Sequence, residues 1–288
     1  MSNMVINTNV LALNSHRSMK NVGATQAQAS ARLSSGLRIN TAADDAAGLA
    51  ISEKMRAQIR GLDMASKNAQ DGSSMVQTAE GGMQQINSMI QRARELTVQA
   101  ANDTNDQKDR GKIAQEIDNL FQEIGSMSDR VEFNGKKLID GTYSASNSLY
   151  LQVGANVNQS IQFSISALTI SGLGLTSLAT TISNAATNGI WSDTASTIDS
   201  YLSDFDGALK GVTDERAKLG AIQNRLEYTM KSLDISSENL SASESRIRDA
   251  DMAKEMMTLT KTNVLSQAAT SMLAQANQAP QNILQLLK

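Results

Sequence analysis

The 288-residue sequence has no cysteine, one histidine and one proline. Without cysteine, a disulfide framework, a thiolate metal site and a thiol nucleophile are all excluded. Because His16 is the one imidazole, most zinc sites and nearly all catalytic arrangements that pair histidine with serine or cysteine are excluded as well. A formal net charge of −3 lacks the basic excess that nucleic-acid binding requires. We therefore expect a protein that is not an enzyme and has no cofactor, no metal and no nucleic-acid partner.

Aromatic side chains are scarce, and all of them lie between Phe121 and Tyr228. Both ends of the chain must therefore pack with small and aliphatic residues, as slender helices in close contact do. The segment Thr262–Leu287 also has no charged residue, but its many Gln and Asn side chains argue against a membrane span. Such helices are marginal alone in water, so we expect both ends to be buried against other copies of the chain. The proline, Pro280, is expected to interrupt the last turn.

We expect no cleaved secretion signal at the beginning of the chain. It has no basic n-region, and no apolar run of sufficient length follows. Residues 1–43 contain no Asp or Glu, which is also typical of a mitochondrial transit peptide. We favour a terminal helix because the other end of the chain has a matching, charge-poor character.

Apolar residues recur at alternating spacings of three and four along most of the chain. This spacing places one apolar stripe on a helix and favours coiled-coil packing. We therefore predict helices at about 45–100, 107–130 and 194–240, long enough to form a rod. The stripes comprise Met83, Ile86, Ile90, Ala93, Thr97 and Ala100; Ile113, Ile117, Leu120, Ile124, Met127 and Val131; Ile198, Tyr201, Phe205, Ala208 and Val212; and Leu219, Ile222, Leu226, Met230, Leu233 and Leu240.

The middle of the chain has a different pattern. Asn134-Gly135 is the strongest short signal for a hairpin turn. Apolar and polar residues alternate over 149–153 and again over 161–165, which predicts a second pair of strands. Residues 166–193 are rich in Ser, Thr, Gly and Ala with little periodicity, so we predict a surface excursion there.

Several long motifs resemble those of bacterial flagellins. They occur in the order that the family has, over about residues 3–165 and 200–288, which makes the resemblance specific. Near the beginning of the chain these motifs are Ile6–Asn9, Ala12–Ser15, Arg32–Asn40 and Asp44–Ser52, and toward the other end they are Ser245–Ala253, Met272–Gln281 and Leu286-Leu287.

The resemblance implies a structural subunit of the bacterial flagellar filament, which serves motility. Flagellins are exported unfolded through the flagellar type III channel and polymerise under a cap protein at the distal tip. The implied location is extracellular, and the implied partners are further copies of the chain, an export chaperone, the filament cap and the hook-junction proteins. The alternatives are a hook–filament junction protein, which has flagellin-like ends, and a coiled-coil adapter that works as a monomer.

The resemblance also implies a mainly α fold with a small β-hairpin region, built as a long antiparallel coiled-coil rod from both chain ends. A D0 terminal coiled coil would comprise residues 1–44 and 246–288. A D1 helical rod with β-hairpins would comprise 45–165 and 194–245, leaving 166–193 as a short variable surface excursion. The density of Ser and Thr there suits a solvated loop, and O-glycosylation, which occurs on some flagellins, is the alternative.

In this family, one segment of the first long D1 helix packs against neighbouring subunits and is bound, in monomers, by Toll-like receptor 5. We expect the matching residues to be exposed because they fall off the apolar stripe, with Leu96 and Arg92 as an anchor pair. The alternative is an ordinary solvated helix face. The matching subunit or receptor interface comprises Gln91, Arg92, Arg94, Glu95, Leu96, Gln99 and Glu116.

A second set of residues is expected to act in polymerisation. Its four charged members are either surface pairs of little value or contacts between subunits. Asp44-Asp45 lies outside this set, and we interpret it as a helix start that complements the helix dipole rather than as a catalytic or metal-binding carboxylate pair. The polymerisation set comprises Leu13, Leu33, Arg246, Arg248, Asp249, Asp251, Met272, Leu273, Leu286 and Leu287.

Overall fold

Long helices account for most of the chain. The computed structural model describes residues 8–286, with side chains described through Gln278. The predicted mainly α fold with small β-hairpins is confirmed, although the last predicted D1 helix continues past 240. The elements are α1 (Val10–Ser35), α2 (Ala46–Ala100), α3 (Gln107–Arg130), β1 (Glu132–Phe133), β2 (Lys136–Lys137), β3 (Leu149–Gln152), β4 (Ser160–Phe163), α4 (Thr176–Asn188), α5 (Ala195–Arg248) and α6 (Met252–Leu286).

The chain divides into two compact units. The smaller unit comprises the residues up to Ile59 and those from Glu238 onward, and the larger unit comprises Arg60–Ser237. Helices α2 and α5 contribute residues to both units. Helix α6 continues through Pro280, so the expected interruption there is wrong; one proline removes a single backbone donor and does not end this helix. None of the helices in the described part of the chain is both long and apolar enough to cross a membrane.

The core of the larger unit lies between α2, α3 and α5. The stripe predicted on α2, from Met83 to Ala100, is completely buried. Phe121 of α3 stacks on Phe205 of α5 with ring centroids 6.0 Å apart. Aromatic area is confined to this unit, and the rest of its core is aliphatic. The 3–4 spacing thus gives the helical contacts that it predicts.

Polar contacts show that α2 and α5 run antiparallel. Ser66 Oγ donates to Asp234 Oδ1 at 3.2 Å, and Arg94 Nε lies 2.8 Å from Asp206 Oδ1. Between these two contacts α2 advances by about eight turns, and its partner on α5 moves back by the same number of turns. This constant register keeps the two apolar stripes opposite each other along the larger unit.

Two antiparallel hairpins follow α3. In the first, Asn134 and Gly135 have φ angles of 51° and 74°, so both turn residues are left-handed, as a type I′ turn requires. In the second, Leu149 pairs with Phe163, and all three strand residues Leu149, Ile161 and Phe163 are buried. The structure confirms both predicted hairpins.

The segment 166–193 is not the surface excursion that we predicted. It contains α4, which packs on α3, and it contributes several side chains to the core of the larger unit. The Ser and Thr residues of α4 lie mostly on its outer face. Among them, Leu178, Ile182 and Ala185 follow an apolar spacing of four and three, which the sequence prediction overlooked. The buried members are Leu168, Leu175, Leu178, Ile182, Ala185 and Trp191.

A polar cluster fixes the segment that follows α4. One Asp193 carboxylate oxygen accepts hydrogen bonds from Trp191 Nε1 at 2.9 Å and from the Tyr201 hydroxyl at 2.8 Å. Burial, together with this hydrogen bond, raises the pKa of Tyr201 to about 12. Buried Arg110 donates to the Asp193 carbonyl at 3.3 Å and to Asp103 Oδ1 at 3.0 Å. These contacts tie the start of α5 to the start of α3.

We predict that two glycine substitutions within α3 have opposite effects. A Cβ at Gly111 would lie 2.3 Å from the Gly189 carbonyl oxygen, whereas a Cβ at Gly125 would meet nothing within 4 Å. Gly111→Ala should therefore lower the free energy of unfolding by about 1–3 kcal/mol through overpacking. Gly125→Ala should raise it by up to about 1 kcal/mol through helix propensity. Urea unfolding followed by circular dichroism and Trp191 fluorescence measures both, and equal effects would contradict the prediction.

Candidate functional site

The smaller unit pairs α1 with α6 in antiparallel orientation. At one end of the pair, Asn9 Nδ2 donates to the Ala276 carbonyl at 2.8 Å. At the other end, Arg32 Nη1 lies 3.2 Å from Glu255 Oε1 in a largely buried ion pair. Asn9 also caps α1 by accepting the Ala12 amide hydrogen at 3.0 Å. Polar contacts at both ends therefore set the register of the pair.

The contact between α1 and α6 buries little apolar volume. Among the described side chains of these two helices, the fully buried ones are Ala29, Thr262 and Ala276. Each of these is small, so the helices approach closely without the large interlocking side chains of the larger unit. A pair with so thin an interface gains little free energy from its own contact.

Large apolar side chains instead lie on the outside of this pair. Clustered exposed apolar groups mark surfaces that bind a partner. Leu13 and Met272 of the predicted polymerisation set are among them, at 58% exposure each. Leu33 and Leu273 are half-buried, the Leu286 side chain and Leu287 lie outside what is described, and the role of all these leucines stays a prediction. The exposed group, here called the α1–α6 exterior, comprises Val10, Leu11, Leu13, Met252, Met256, Met257, Val264, Leu265 and Met272.

The segments that link these helices to α2 and α5 bond to each other. The Arg38 amide donates to the Arg248 carbonyl at 2.7 Å, and the Ala250 amide donates to the Gly36 carbonyl at 2.9 Å. Gly36 ends α1 with a φ of 72°, a left-handed conformation that glycine adopts without steric cost. The result is a short antiparallel bridge between segments from the two ends of the chain.

The four predicted charged residues of the polymerisation set have separate roles within the chain. Arg248 is buried, and its Nη1 lies 2.6 Å from Glu53 Oε1. Asp251 caps α6 by accepting the amide hydrogens of Ala253 and Lys254 at 3.0 and 3.1 Å. Asp249 accepts a hydrogen bond from the Ser245 hydroxyl at 2.6 Å, and Arg246 is exposed. Among the described side chains these four residues form no ion pairs with one another.

Asp44 and Asp45 organise the start of α2. Asp45 Oδ1 accepts the Gly48 amide hydrogen at 2.9 Å, which confirms the helix-start interpretation. The Asp44 carboxylate accepts amide hydrogens from Thr41 at 3.0 Å and Asn40 at 3.2 Å, and these bonds lower its pKa. Across the described part of the chain, no three His, Asp or Glu side chains are grouped as metal ligands.

We predict that Arg248 stabilises the bridge between the two linking segments. Arg248→Ala removes the buried partner of Glu53, so the amides of Arg38 and Ala250 should exchange with solvent about tenfold faster. Arg246→Ala is the matched control, because Arg246 lies on the same helix, two residues before Arg248, and its side chain is exposed. It should change these exchange rates less than about twofold. Hydrogen exchange resolved by residue provides the measurement, and similar acceleration in both variants would refute the role of Arg248.

The larger unit carries a charged face where α2 and α3 lie side by side. Arg92 Nη2 lies 2.9 Å from Glu116 Oε1, and its Nη1 lies 3.4 Å from Glu95 Oε2. The hydrogen bond to Glu116, followed by its charge and then by Glu95, raises the pKa of Arg92. Gln91 and Gln99 are exposed on the same stretch of α2. Arg94 is half-buried and pairs with α5, so five predicted interface residues share the exposed face, here called the Arg92 face.

Leu96 does not belong to the Arg92 face. Its side chain is 2% exposed and lies in the core of the larger unit, so the predicted exposure was wrong. The reason is that α2 packs against two helices and buries a face wider than one coiled-coil stripe. Leu96 follows Ala93 by three residues, and this spacing was a signal of burial. The exposed apolar residue nearby is Val98, at 49%.

The fold and these surfaces define a class: a protein of long paired helices whose end helices expose large apolar side chains. Comparison with known proteins specifies this class further. The family model described as the bacterial flagellin N-terminal helical region matches residues 6–144, and the one described as the bacterial flagellin C-terminal helical region matches residues 202–287. The chain belongs to the bacterial flagellin family.

Individual relatives match over the whole chain. A flagellin from Halalkalibacterium halodurans is 51% identical over 286 residues, which covers 99% of this chain and 100% of that protein. A flagellin from Bacillus subtilis is 49% identical over 306 residues, with the same two coverages of 99% and 100%. A putative flagellar hook-associated protein from Vibrio parahaemolyticus has a similar structure, with a TM-score of 0.61 over 72% of this chain and 100% of that chain. At 14% identity, this last match shows a shared fold.

Family membership gives the general role. The chain is a structural subunit of the flagellar filament, it assembles with copies of itself, and it is not an enzyme. Apart from Met272, the exposed Met and Val side chains of α6 were missed from the sequence, and so was the Arg32–Glu255 pair. The apolar residues of α6 surround the helix without forming a single stripe, and this all-round pattern was the signal that could have identified them.

Proposed function

We propose that the chain polymerises into the filament through the α1–α6 exterior. The observation that carries this proposal is the exposure of nine large apolar side chains on a helix pair that buries only three small ones, among the side chains described. Leaving Met257 and Val264, at 67% and 61% exposure, in water is unfavourable, and contact with a second copy removes this cost. Leu33 and Leu273, which are half-buried, extend the same contact surface.

We propose further that residues 1–44 and 246–288 form the inner D0 layer, with 45–165 and 194–245 in the D1 layer. The segment 166–193 belongs with the D1 layer, because it contributes side chains to the core of the larger unit. In dilute solution the helices α1 and α6 are only partly formed, and they become stably helical on assembly. The thin contact between α1 and α6 supports this, because three small buried side chains cannot offset the ordering of two long helices. Interface burial between subunits supplies the missing free energy.

The proposed route to the filament is export in the unfolded state through the flagellar type III channel. An export chaperone, the filament cap and the hook-junction proteins are the proposed partners along this route, and the final location is extracellular. The absence of cysteine and the single proline are compatible with repeated unfolding, since no disulfide or multiple proline isomerisations slow refolding.

We predict that deleting residues 262–288 abolishes filament growth but leaves the larger unit folded. The deletion removes much of the α1–α6 exterior, whereas the core around Phe121 and Phe205 lies outside it. Trp191 fluorescence and circular dichroism test folding, and electron microscopy after seeding with filament fragments tests growth. Long straight filaments from the truncated chain would contradict the proposal.

A point substitution sharpens this test. Val264→Asn places an amide on the α1–α6 exterior and should slow seeded elongation strongly. Ile190→Asn changes an exposed apolar residue of the larger unit, at 43% exposure, and serves as the matched control that elongates normally. If the unaltered chain forms no long filaments under these conditions, the hook–filament junction alternative is favoured.

We also infer that the monomer is recognised by Toll-like receptor 5 through the Arg92 face. Its five side chains, Gln91, Arg92, Glu95, Gln99 and Glu116, are exposed. Glu116 and Glu95 hold the Arg92 guanidinium in a fixed position, which reduces the entropy lost on binding. An ordered arginine surrounded by polar groups is typical of interface hot spots. Buried Leu96 takes no direct part in this contact.

We predict that Arg92→Ala weakens activation of a Toll-like receptor 5 reporter by about tenfold or more, as loss of a central interface arginine does. Arg130→Ala is the matched control, since Arg130 is an exposed α3 residue that pairs with Glu123 away from the Arg92 face. It should retain the potency of the unaltered protein. A dose–response curve with folded monomer measures the effect, and unchanged potency of Arg92→Ala would exclude this contact.

A further inference from the structure

We propose that the exposed methionines of α6 form an oxidation site that makes assembly sensitive to peroxides. The reagent class is a hydroperoxide or another two-electron oxygen donor. The inference rests on the proposed function of the α1–α6 exterior, and it adds a chemical modification that controls that surface.

The exposure of methionine is uneven between the two units. Five methionines are exposed among the described side chains, and four of them lie on α6, at 47–67% exposure. In the larger unit, Met83 is completely buried and Met75 is 6% exposed. Selective placement of oxidisable sulfur on the apolar surface of one helix is thus a property of this structure. The four α6 residues are Met252, Met256, Met257 and Met272.

Three of the four methionines form a cluster within the first two turns of α6. Met252 and Met256 are four residues apart and lie on the same face, and Met257 follows at 67% exposure. Glu255 points to Arg32, so it takes part in the helix pair and leaves the sulfur atoms uncovered. Thioethers in such positions are accessible to small water-soluble oxidants.

The reaction balances without a metal or cofactor. A lone pair of the methionine sulfur attacks one peroxide oxygen, the O–O bond breaks, and the new S–O bond gives a sulfoxide. The oxygen bound to sulfur gives its proton to the departing hydroxide or alkoxide, which leaves as water or as an alcohol. Sulfur loses two electrons and the peroxide gains two, so one methionine consumes one hydroperoxide.

The product alters the surface that assembly needs. A sulfoxide is polar and accepts hydrogen bonds, whereas the thioether that it replaces is apolar. When a second copy covers the α1–α6 exterior, each sulfoxide must lose its water, and this desolvation disfavours the contact. Oxidised chains should therefore join a filament poorly, and methionines already covered in a filament should react slowly.

The first measurement tests the site itself. The full-length chain in dilute solution is treated with hydrogen peroxide, and oxidation at each methionine is followed by peptide mass spectrometry. Met252, Met256, Met257 and Met272 should react at least about tenfold faster than buried Met75 and Met83. The same four should be protected in preformed filaments. Equal rates at α6 and at the buried methionines would overturn the assignment, whether or not the chain polymerises.

The second measurement tests control of assembly. Peroxide treatment should raise the critical concentration for seeded elongation by about tenfold or more, because several buried contacts become polar. Methionine sulfoxide reductases should restore elongation of the treated chain. A variant with Met→Leu at the four α6 positions has no thioether among the exposed α6 residues, so peroxide should not change its elongation relative to its own untreated rate. Met64→Leu is the matched control, since Met64 is exposed at 54% in the larger unit and its replacement should not protect.

The outcomes separate the two proposals. If the untreated chain does not elongate from seeds, the proposed assembly function fails. If the untreated chain elongates and the oxidised chain elongates equally well, the assembly function stands and the oxidation control is wrong. Protection by Met64→Leu, or continued sensitivity of the fourfold Leu variant, would place the effect elsewhere and overturn the inference. If the fourfold variant does not elongate even without peroxide, the reductase experiment decides. Failure of the reductases to restore elongation of the oxidised, unaltered chain would then overturn the inference.

Discussion

The rest of the structure depends on one packing interaction, the burial of the apolar face of α2 against α3 and α5. Side chains at a spacing of three and four along α2 are fully buried, so the helix is held along the whole larger unit. The Phe121–Phe205 stack adds aromatic area at the centre of this contact. Because α2 and α5 also supply residues to the smaller unit, the same two helices determine where the linking segments begin.

The smaller unit is built on the opposite principle. Its helices meet through alanine and threonine, and its larger apolar groups point outward. A fold with its own core would bury Met257 and Val264, but here both side chains are exposed. In the proposed function, further copies of the chain cover them. The larger unit would then be stabilised by its own core, and the smaller unit by contacts between subunits.

The sequence predicts those features of the structure that depend on residues close together in the chain, and it misses those that depend on distant residues. The heptads of α2, the Asn134-Gly135 turn and the capping role of Asp45 are local, and each was predicted correctly. Leu96 was assigned to the surface because its burial depends on how many helices surround α2, which no single stripe encodes. The Arg248–Glu53 pair joins positions far apart in the chain, so periodicity has no signal for it.

The bridge between the linking segments has a kinetic consequence. Gly36 and Arg38 bond to Ala250 and Arg248, so nearly the entire intervening polypeptide must be in place before these four residues meet. Closing so long a loop has a high entropic cost. This cost falls only after the larger unit has folded, because folding shortens the connection between Arg38 and Arg248. The bridge should therefore form late in folding, after the larger unit has folded.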